Sequence, residues 1–175
     1  LWKYSGAIGI MTGSGAQTPT RRQLEILKGW SVHHLNGWPA YLRHMAQVAK
    51  DELGWDVRDL KLKSLTTHLG VDSRDDLEEM WGTKVWDGYG SNECGAVAVY
   101  CEHRTGMHVF EDGFVVEIND PDTGKPVAHG ERGNIFLTAL WKQLGPVIRY
   151  NTNDVSAVIP GTCACGGTPV RLDRM

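Results

Sequence analysis

Apolar side chains at Leu42, Met45, Ala46, Ala49 and Leu53 recur at the i, i+3, i+4, i+7 and i+11 spacing of one helical face. Pro39 can open that helix, because the first turn has no intrahelical use for the N–H that proline lacks. Gly54 can end it in the left-handed conformation. "RRQLEILKGW" predicts a shorter helix with Leu24 and Leu27 on one face and Gly29 near its end. Ser73 can cap "RDDLEEMW", with Gly82 as the stop. Between the helices lie strand-like runs: the buried-looking "AIGIMT" (Ala7 to Thr12), "SVHHLNG", the alternating "LKLKSLTTH" and "KVWDGYG". Residues 1–95 therefore read strand–helix–strand–helix–strand–helix–strand, the pattern of a parallel sheet covered by helices.

After Gly95 the helical period disappears. "AVAVYC", "MHVFED", "FVVEIND", "NIFLTAL", "PVIRYNT" and "VSAVIP" are short runs rich in Val, Ile, Phe and Tyr, separated by the turn signals "RTG", "DPDTGK", "HGERG" and "LGP". They predict a mostly antiparallel, barrel-like subdomain from about residue 96 to residue 160. The expected fold class is thus α/β: a helix-covered parallel sheet over residues 1–95, then a small β-rich subdomain over residues 96–175.

Composition narrows the functional classes. The chain has 175 residues, enough for one domain or one lobe with a small addition. A formal net charge of -3 leaves no basic footprint for nucleic acid or an anionic membrane. No apolar run is long enough to span a bilayer, and no basic segment followed by an apolar run opens the chain. A cytoplasmic location is expected, with the four cysteines either free or holding a metal. The chain begins at Leu1 inside an apolar segment and stops just after "RLDRM", as a piece of something longer would. Trp30, Trp38, Trp55, Trp81 and Trp86 all fall in the α/β half and are expected mostly as core contacts. The sequence leaves the oligomeric state open.

Two constellations carry candidate chemistry. In "WDGYGSNECG", Gly88, Gly90 and Gly95 surround Tyr89, and Glu93 follows. Such a loop lies beyond the carboxyl end of a strand, where α/β sheets bind ligands. There the glycines let backbone approach a ligand closely, Tyr89 offers an aromatic face, and Glu93 can hold a hard cation such as Mg²⁺. The competing reading is a glycine-rich turn with a buried tyrosine and a solvated acid. The second constellation joins Cys101 and His108, which flank the turn in "CEHRTGMH", to Cys163 and Cys165 in "TCACGG". Three thiolates and an imidazole make a closed tetrahedral zinc site. The alternative is ordinary free thiols. Cys94 is read as a packing residue, and the remaining histidines form no metal-ligand spacing.

The wider string changes the first balance. "DGYGSNECG" resembles the tyrosine–glycine–x–Ser/Thr–Glu segment of the adenylate-forming enzymes, which include acyl-CoA synthetases, aryl-acid ligases and peptide-synthetase adenylation domains. "GERGNIFLTAL" and "GPVIRYNTNDVS" are similar to the next two family segments, in the expected order. From Trp86 to Met175 the chain is similar to the phenylacetate–CoA ligase branch, some members of which look alike at the Cys/His positions and hold zinc there. "GSGAQTPTRRQLEILKGWSVHHLNGWPAYLRHMAQVAK" is similar at lower specificity.

The resemblance implies a two-step reaction: a carboxylate attacks the α-phosphate of ATP, and the thiol of coenzyme A then displaces AMP from the acyl-adenylate. It implies that Tyr89 lies against adenine, that Glu93 ligates Mg²⁺ as the catalytic acid of the loop, and that Gly88, Gly90, Ser91 and Asn92 belong to the nucleotide segment. Asp154, in "NTND", accepts hydrogen bonds from the ribose hydroxyls. Arg149 either braces this loop or faces the phosphates, or else makes a strand-end salt bridge. Trp38 and Tyr41, in "NGWPAYL", fall where the family lines its acid pocket, and aromatic walls suit an aryl acid.

The chain also departs from the family. Asn92 replaces a Ser or Thr whose hydroxyl bonds the α-phosphate. "SLTTHLGVDS" stands where "GAE" or "GE" is usual. "TGSGAQTPT" lacks the lysine and hydroxyl density of the phosphate loop. The lid with its lysine, and the arginine that joins Asp154 on the ribose, would lie beyond Met175. The expectation is a portion of an acid–CoA ligase that is inactive alone. The alternative is a non-catalytic relative that binds a small aromatic or a nucleotide.

Overall fold

The computed structural model describes residues 6–175, which form two compact units, one ending at residue 85 and the other spanning residues 86–175. In the first, helix α1 (Thr20–Gly29) buries Leu24 and Leu27 on the predicted face. Helix α2 (Pro39–Leu53) begins with proline at its first position, buries Leu42, Met45, Val48 and Ala49, and ends at Gly54 with φ 70. In helix α3 (Arg74–Trp81) the Ser73 hydroxyl accepts a hydrogen bond from the Asp76 N–H, and Gly82 closes the helix at φ 63. Strands β1 (His34–Asn36) and β2 (Ser64–Thr67) pair in parallel, with Leu35 opposite Leu65. A 3₁₀ turn at Val57–Leu60, capped by Asp56, drops Val57 into the core. Leu24, Leu42, Met45, Leu65, Leu77 and Trp81 make up the centre of that core.

The second unit is antiparallel β. Strands β3 (Val85–Ser91), β4 (Gly95–Tyr100), β5 (Met107–Val109), β6 (Phe114–Asn119), β7 (Arg132–Ala139), β8 (Tyr150–Ile159) and β9 (Arg171–Leu172) follow one another in sequence. In space they run β3-β4-β5-β9-β8-β7-β6. Val97, Met107, Ile135, Leu137 and Leu172 are buried between them.

Several expectations are corrected. Residues 7–12 form no strand, and Ile8 and Met11 are 90% and 89% exposed. An apolar run becomes a strand only where a neighbouring backbone supplies hydrogen-bond partners, and among the described residues none pairs its backbone with residues 7–12. The chain divides at residues 85 and 86 rather than after residue 95, because β3 pairs antiparallel with β4 and so joins the β unit. Two runs expected as separate strands merge into the single strand β8, which leaves Pro146 to Arg149 outside it. Of the tryptophans expected in the core, Trp81 is buried, whereas Trp30 and Trp38 are exposed.

Leu65 has no exposed surface and sits on the central parallel pair. Leu65→Ala should destabilise the protein by about 2–5 kcal/mol, read as a lower urea midpoint at unchanged slope. An unchanged midpoint would contradict this packing.

Candidate functional site

The opening glycine string lies on β3 and the turn after it. Gly88, Tyr89, Gly90 and Ser91 are in the strand, and Asn92 and Glu93 are on the turn into β4. The glycines have a structural reason for their identity. A Cβ on Gly90 would lie 2.4 Å from the Gly95 carbonyl oxygen, and one on Gly88 would lie 2.9 Å from that of Ala98. The register of β3 on β4 also shifts between Tyr89 and Gly90. The missing side chains therefore let β4 cross closely at an irregularity. Gly95, at φ 75, supplies the left-handed residue that restarts the strand.

Tyr89 is buried, and its hydroxyl donates to Asp154 Oδ2 at 2.7 Å. Burial pushes the phenol well above its ordinary range. A hydrogen bond with Thr152 opposes that shift, and the Asp154 carboxylate adds to it. Asp154 owes its position to a bulge in β8. Asn134 pairs with Val155 and Phe136 with Asn151, so Thr152, Asn153 and Asp154 stand opposite Ile135 alone. Asn153 takes φ 62 at this point, a conformation asparagine tolerates better than most residues. The bulge is held from inside: the Thr152 hydroxyl donates to the Ile135 carbonyl and accepts from the Asp154 N–H, both at 3.1 Å. Asn151 Oδ1 accepts from the Asn153 N–H and from Asn134 Nδ2. Asp154 itself stays exposed.

Glu93 is exposed on its turn. Its carboxyl is held below the usual range by its own backbone N–H, then by the Ser91 hydroxyl and the charge of Lys142. Lys142 Nζ donates to the Glu93 carbonyl. The Cys94 N–H bonds the Ser91 hydroxyl at 3.2 Å, closing the turn. Ser91 is thus engaged within the loop, and Asn92 is exposed at its tip. Arg149, at φ 45, turns its guanidinium to Glu117 at 3.1 Å and lies over the Phe136 ring. Of the two readings for Arg149, these contacts are those of the salt bridge.

The candidate acid-pocket residues lie in the first unit. Trp38 precedes α2 with its ring 5.3 Å from that of His68, and the Tyr41 hydroxyl is 3.1 Å from Thr20 Oγ1. An open cleft of about 460 Å³ in that unit is lined instead by residues such as Arg43, Gln47, Lys50 and Trp55.

The second constellation converges. The ligand atoms of Cys101, His108, Cys163 and Cys165 all lie within 4.8 Å of one another. Cys101 Sγ is 3.6 Å from Cys163 Sγ, and Cys165 Sγ is 3.7 Å from His108 Nε2. A disulfide would need the sulfurs ~2 Å apart, whereas sulfurs bound tetrahedrally at ~2.3 Å to one ion stand about 3.8 Å apart. Donor set and spacing therefore fit a tetrahedral metal. Backbone N–H bonding from the Cys165 side, and then the Thr105 hydroxyl, lower the Cys163 thiol to about 5. A Cβ on Gly167 would lie 3.1 Å from both Cys165 Sγ and a His108 ring carbon, so a larger residue there would crowd the cluster. Sequence reasoning did not single out Lys142, Thr105 or Thr152. Of these, Thr105 alone had a local signal, since it lies between two candidate ligands in "CEHRTGMH".

The family model described as AMP-binding enzyme matches residues 2–139, most of the chain, and the chain belongs to that family. Among curated relatives, it is 30% identical to the phenylacetate-coenzyme A ligase of Thermus thermophilus over 97% of this chain and 41% of that protein. It is 31% identical to the enzyme of the same name from Escherichia coli, over 95% of this chain and 38% of that protein. Its fold matches a crystal structure of 2-hydroxyisobutyryl-CoA ligase in complex with 2-HIB-AMP and CoA, with a TM-score of 0.88, 27% identity, and coverage of 98% of this chain and 39% of that one. The chain thus spans about two fifths of the length of these proteins. Among the described residues no helix is long and apolar enough to cross a membrane.

Because the folded Tyr89 phenol titrates above an unfolded one, its contribution to stability is intact below about pH 10 and is lost as pH rises past that value. Urea midpoints should therefore hold up to about pH 10 and fall as pH rises above it. Tyr89→Phe should flatten that limb, and an equally steep limb in the variant would refute the assignment.

Proposed function

We propose that the chain is the nucleotide-handling portion of an ATP-dependent acid–CoA ligase that activates an aryl, phenylacetate-like acid as its acyl-adenylate and passes it to coenzyme A. The observation that carries this reading is the direct Tyr89–Asp154 hydrogen bond, which joins the tyrosine loop to the bulged "NTND" segment. The ring of Tyr89 then serves adenine. Asp154, an acceptor only, suits a pair of ribose hydroxyl donors. Glu93, exposed and kept ionised, suits a hard divalent ion, and it would hold Mg²⁺. Such an ion offsets negative charge that builds on phosphate oxygens during adenylate formation. Ser91, Asn92, Gly88 and Gly90 shape the loop. Arg149, beside the ribose segment, is engaged in its ion pair with Glu117 and takes no part in holding the nucleotide. Trp38 and Tyr41 would face the acid. The aryl preference rests on the names of the curated relatives.

Cys101, His108, Cys163 and Cys165 would hold a structural zinc ion, whose chemistry there is to tie two loops of the β unit together. The expected value is one zinc per chain by elemental analysis of the full-length gene product. Loss of zinc together with a lower melting temperature is expected in Cys163→Ser. Purified protein free of zinc even after reconstitution would end this part of the reading.

One observation favours a second reading. Asn92 stands where the family has a hydroxyl residue, which suits a relative that binds nucleotide without turnover. The deciding measurement is pyrophosphate release by the full-length gene product with ATP, Mg²⁺ and a panel of aryl and short branched hydroxy acids. Release that depends on an aryl acid and falls at least about a hundredfold in Glu93→Ala, in line with loss of a group acting on developing charge, is the expected result. Release only with the branched acids would overturn the aryl assignment. No release alongside measurable AMP binding would favour the non-catalytic reading.

A further inference from the structure

Strand β9 is only two residues long, and its first residue is a buried arginine, Arg171, 7% exposed. Arg171 pairs in register with His108 of β5 on one side and with Ile159 of β8 on the other. It therefore sits between the two chain segments that carry the Cys/His cluster, and directly paired residues share a face of the sheet. Its guanidinium reaches both segments. One nitrogen donates to the Thr105 carbonyl at 2.8 Å and to the Thr105 hydroxyl at 3.2 Å. The other donates to the carbonyls of Pro160 at 3.3 Å and Gly161 at 3.0 Å. Gly106, at φ 121, lets the first segment lie this close, since a Cβ there would stand 3.2 Å from Arg171 Cβ and 2.6 Å from Ile159 Cδ1.

We propose that Arg171 is the positioning residue of the metal centre, holding the two ligand-bearing loops at the separation a tetrahedral ion requires and orienting the Thr105 hydroxyl onto the Cys163 sulfur. This rests on reading the cluster as a metal site. Thr105 Oγ1 lies 3.6 Å from Cys163 Sγ. A hydroxyl that accepts from a guanidinium has its own proton free to donate to the sulfur. The chain of bonds is therefore Arg171 to Thr105 to Cys163, the outer-shell support that metal ligands commonly have.

Charge supports the same assignment. The four hydrogen bonds of Arg171 all go to neutral oxygens, although a buried cation normally needs a countercharge. Three thiolates around a divalent ion leave one net negative charge, and the neutral imidazole adds none. The loaded centre is thus the anion that Arg171 faces across Thr105. Lysine would keep the charge but could not span both loops, because an ammonium lacks the planar fork.

The test compares full-length wild type with Arg171→Met, Arg171→Lys and Thr105→Val. Zinc affinity is read by competition with a chromophoric chelator, and ligand geometry by the thiolate-to-cobalt charge-transfer band after cobalt substitution. Arg171→Met should weaken zinc about 10- to 100-fold, the usual range for loss of outer-shell support. Arg171→Lys should not restore that affinity. Thr105→Val, nearly isosteric, should weaken zinc about tenfold and shift the cobalt band with the fold intact. If Arg171→Met does not fold, Thr105→Val and Arg171→Lys still decide. A wild type that binds zinc while all three variants keep its affinity and cobalt spectrum would overturn the role of Arg171 alone. A wild type that binds neither ion would remove the metal centre and this role together.

Discussion

A hydrogen bond between two residues far apart in sequence ties the tyrosine loop to the bulge of β8. The Tyr89 hydroxyl and the Asp154 carboxylate lie 2.7 Å apart although the residues are 65 positions apart in the chain. Both ends depend on irregular backbone. Tyr89 sits where β3 slips its register on β4, and Asp154 sits where β8 bulges against β7. Without the glycines, β4 could not approach the tyrosine loop. The bulge in turn is held by the Thr152 hydroxyl, which bridges Ile135 and Asp154, and by Asn151 Oδ1, which accepts from Asn153 and Asn134. Extra residues at such bulges re-aim side chains, and here they leave Asp154 exposed while its partner is buried.

The same unit solves a second problem with little hydrophobic material. The loops around residues 101–106 and 160–167 are short of buried apolar side chains, and turn-rich backbone is costly to order. Cys101, His108, Cys163 and Cys165 converge across them, with Arg171 bonded to both loops. Side chains that converge from both loops, with a guanidinium bonded to each, join them where apolar packing is sparse. The β unit is thus organised at two points: a polar clasp at Tyr89–Asp154, and a sulfur–imidazole cluster with its supporting arginine.

The helices were legible because their signals are local. Pro39, Gly54, Ser73 and Gly82 act within one turn of their own positions, and each does in the structure what its chemistry predicts. The apolar face of Leu42, Met45 and Ala49 was readable for the same reason, since helical periodicity is contained in the sequence. The string around Tyr89 and the four Cys/His ligands were readable as candidate chemistry, because donor type and short spacing survive without coordinates.

What the sequence did not disclose depends on partners. "AIGIMT" has the composition of a strand and forms none, because a strand is defined by the neighbour that accepts its hydrogen bonds. β9 has two residues and no period of its own, yet it lies between β5 and β8 and carries Arg171. The bulge at residues 152–154 exists only against Ile135. By itself the sequence determined the helices, their ends, and which side chains could do chemistry, since these follow from contacts within a few residues. Tertiary structure alone decided which irregular strands face one another. It thereby decided that Tyr89 meets Asp154 and that Arg171 meets both loops of the Cys/His cluster, because register between distant segments is set by packing and backbone hydrogen bonding rather than by any local preference.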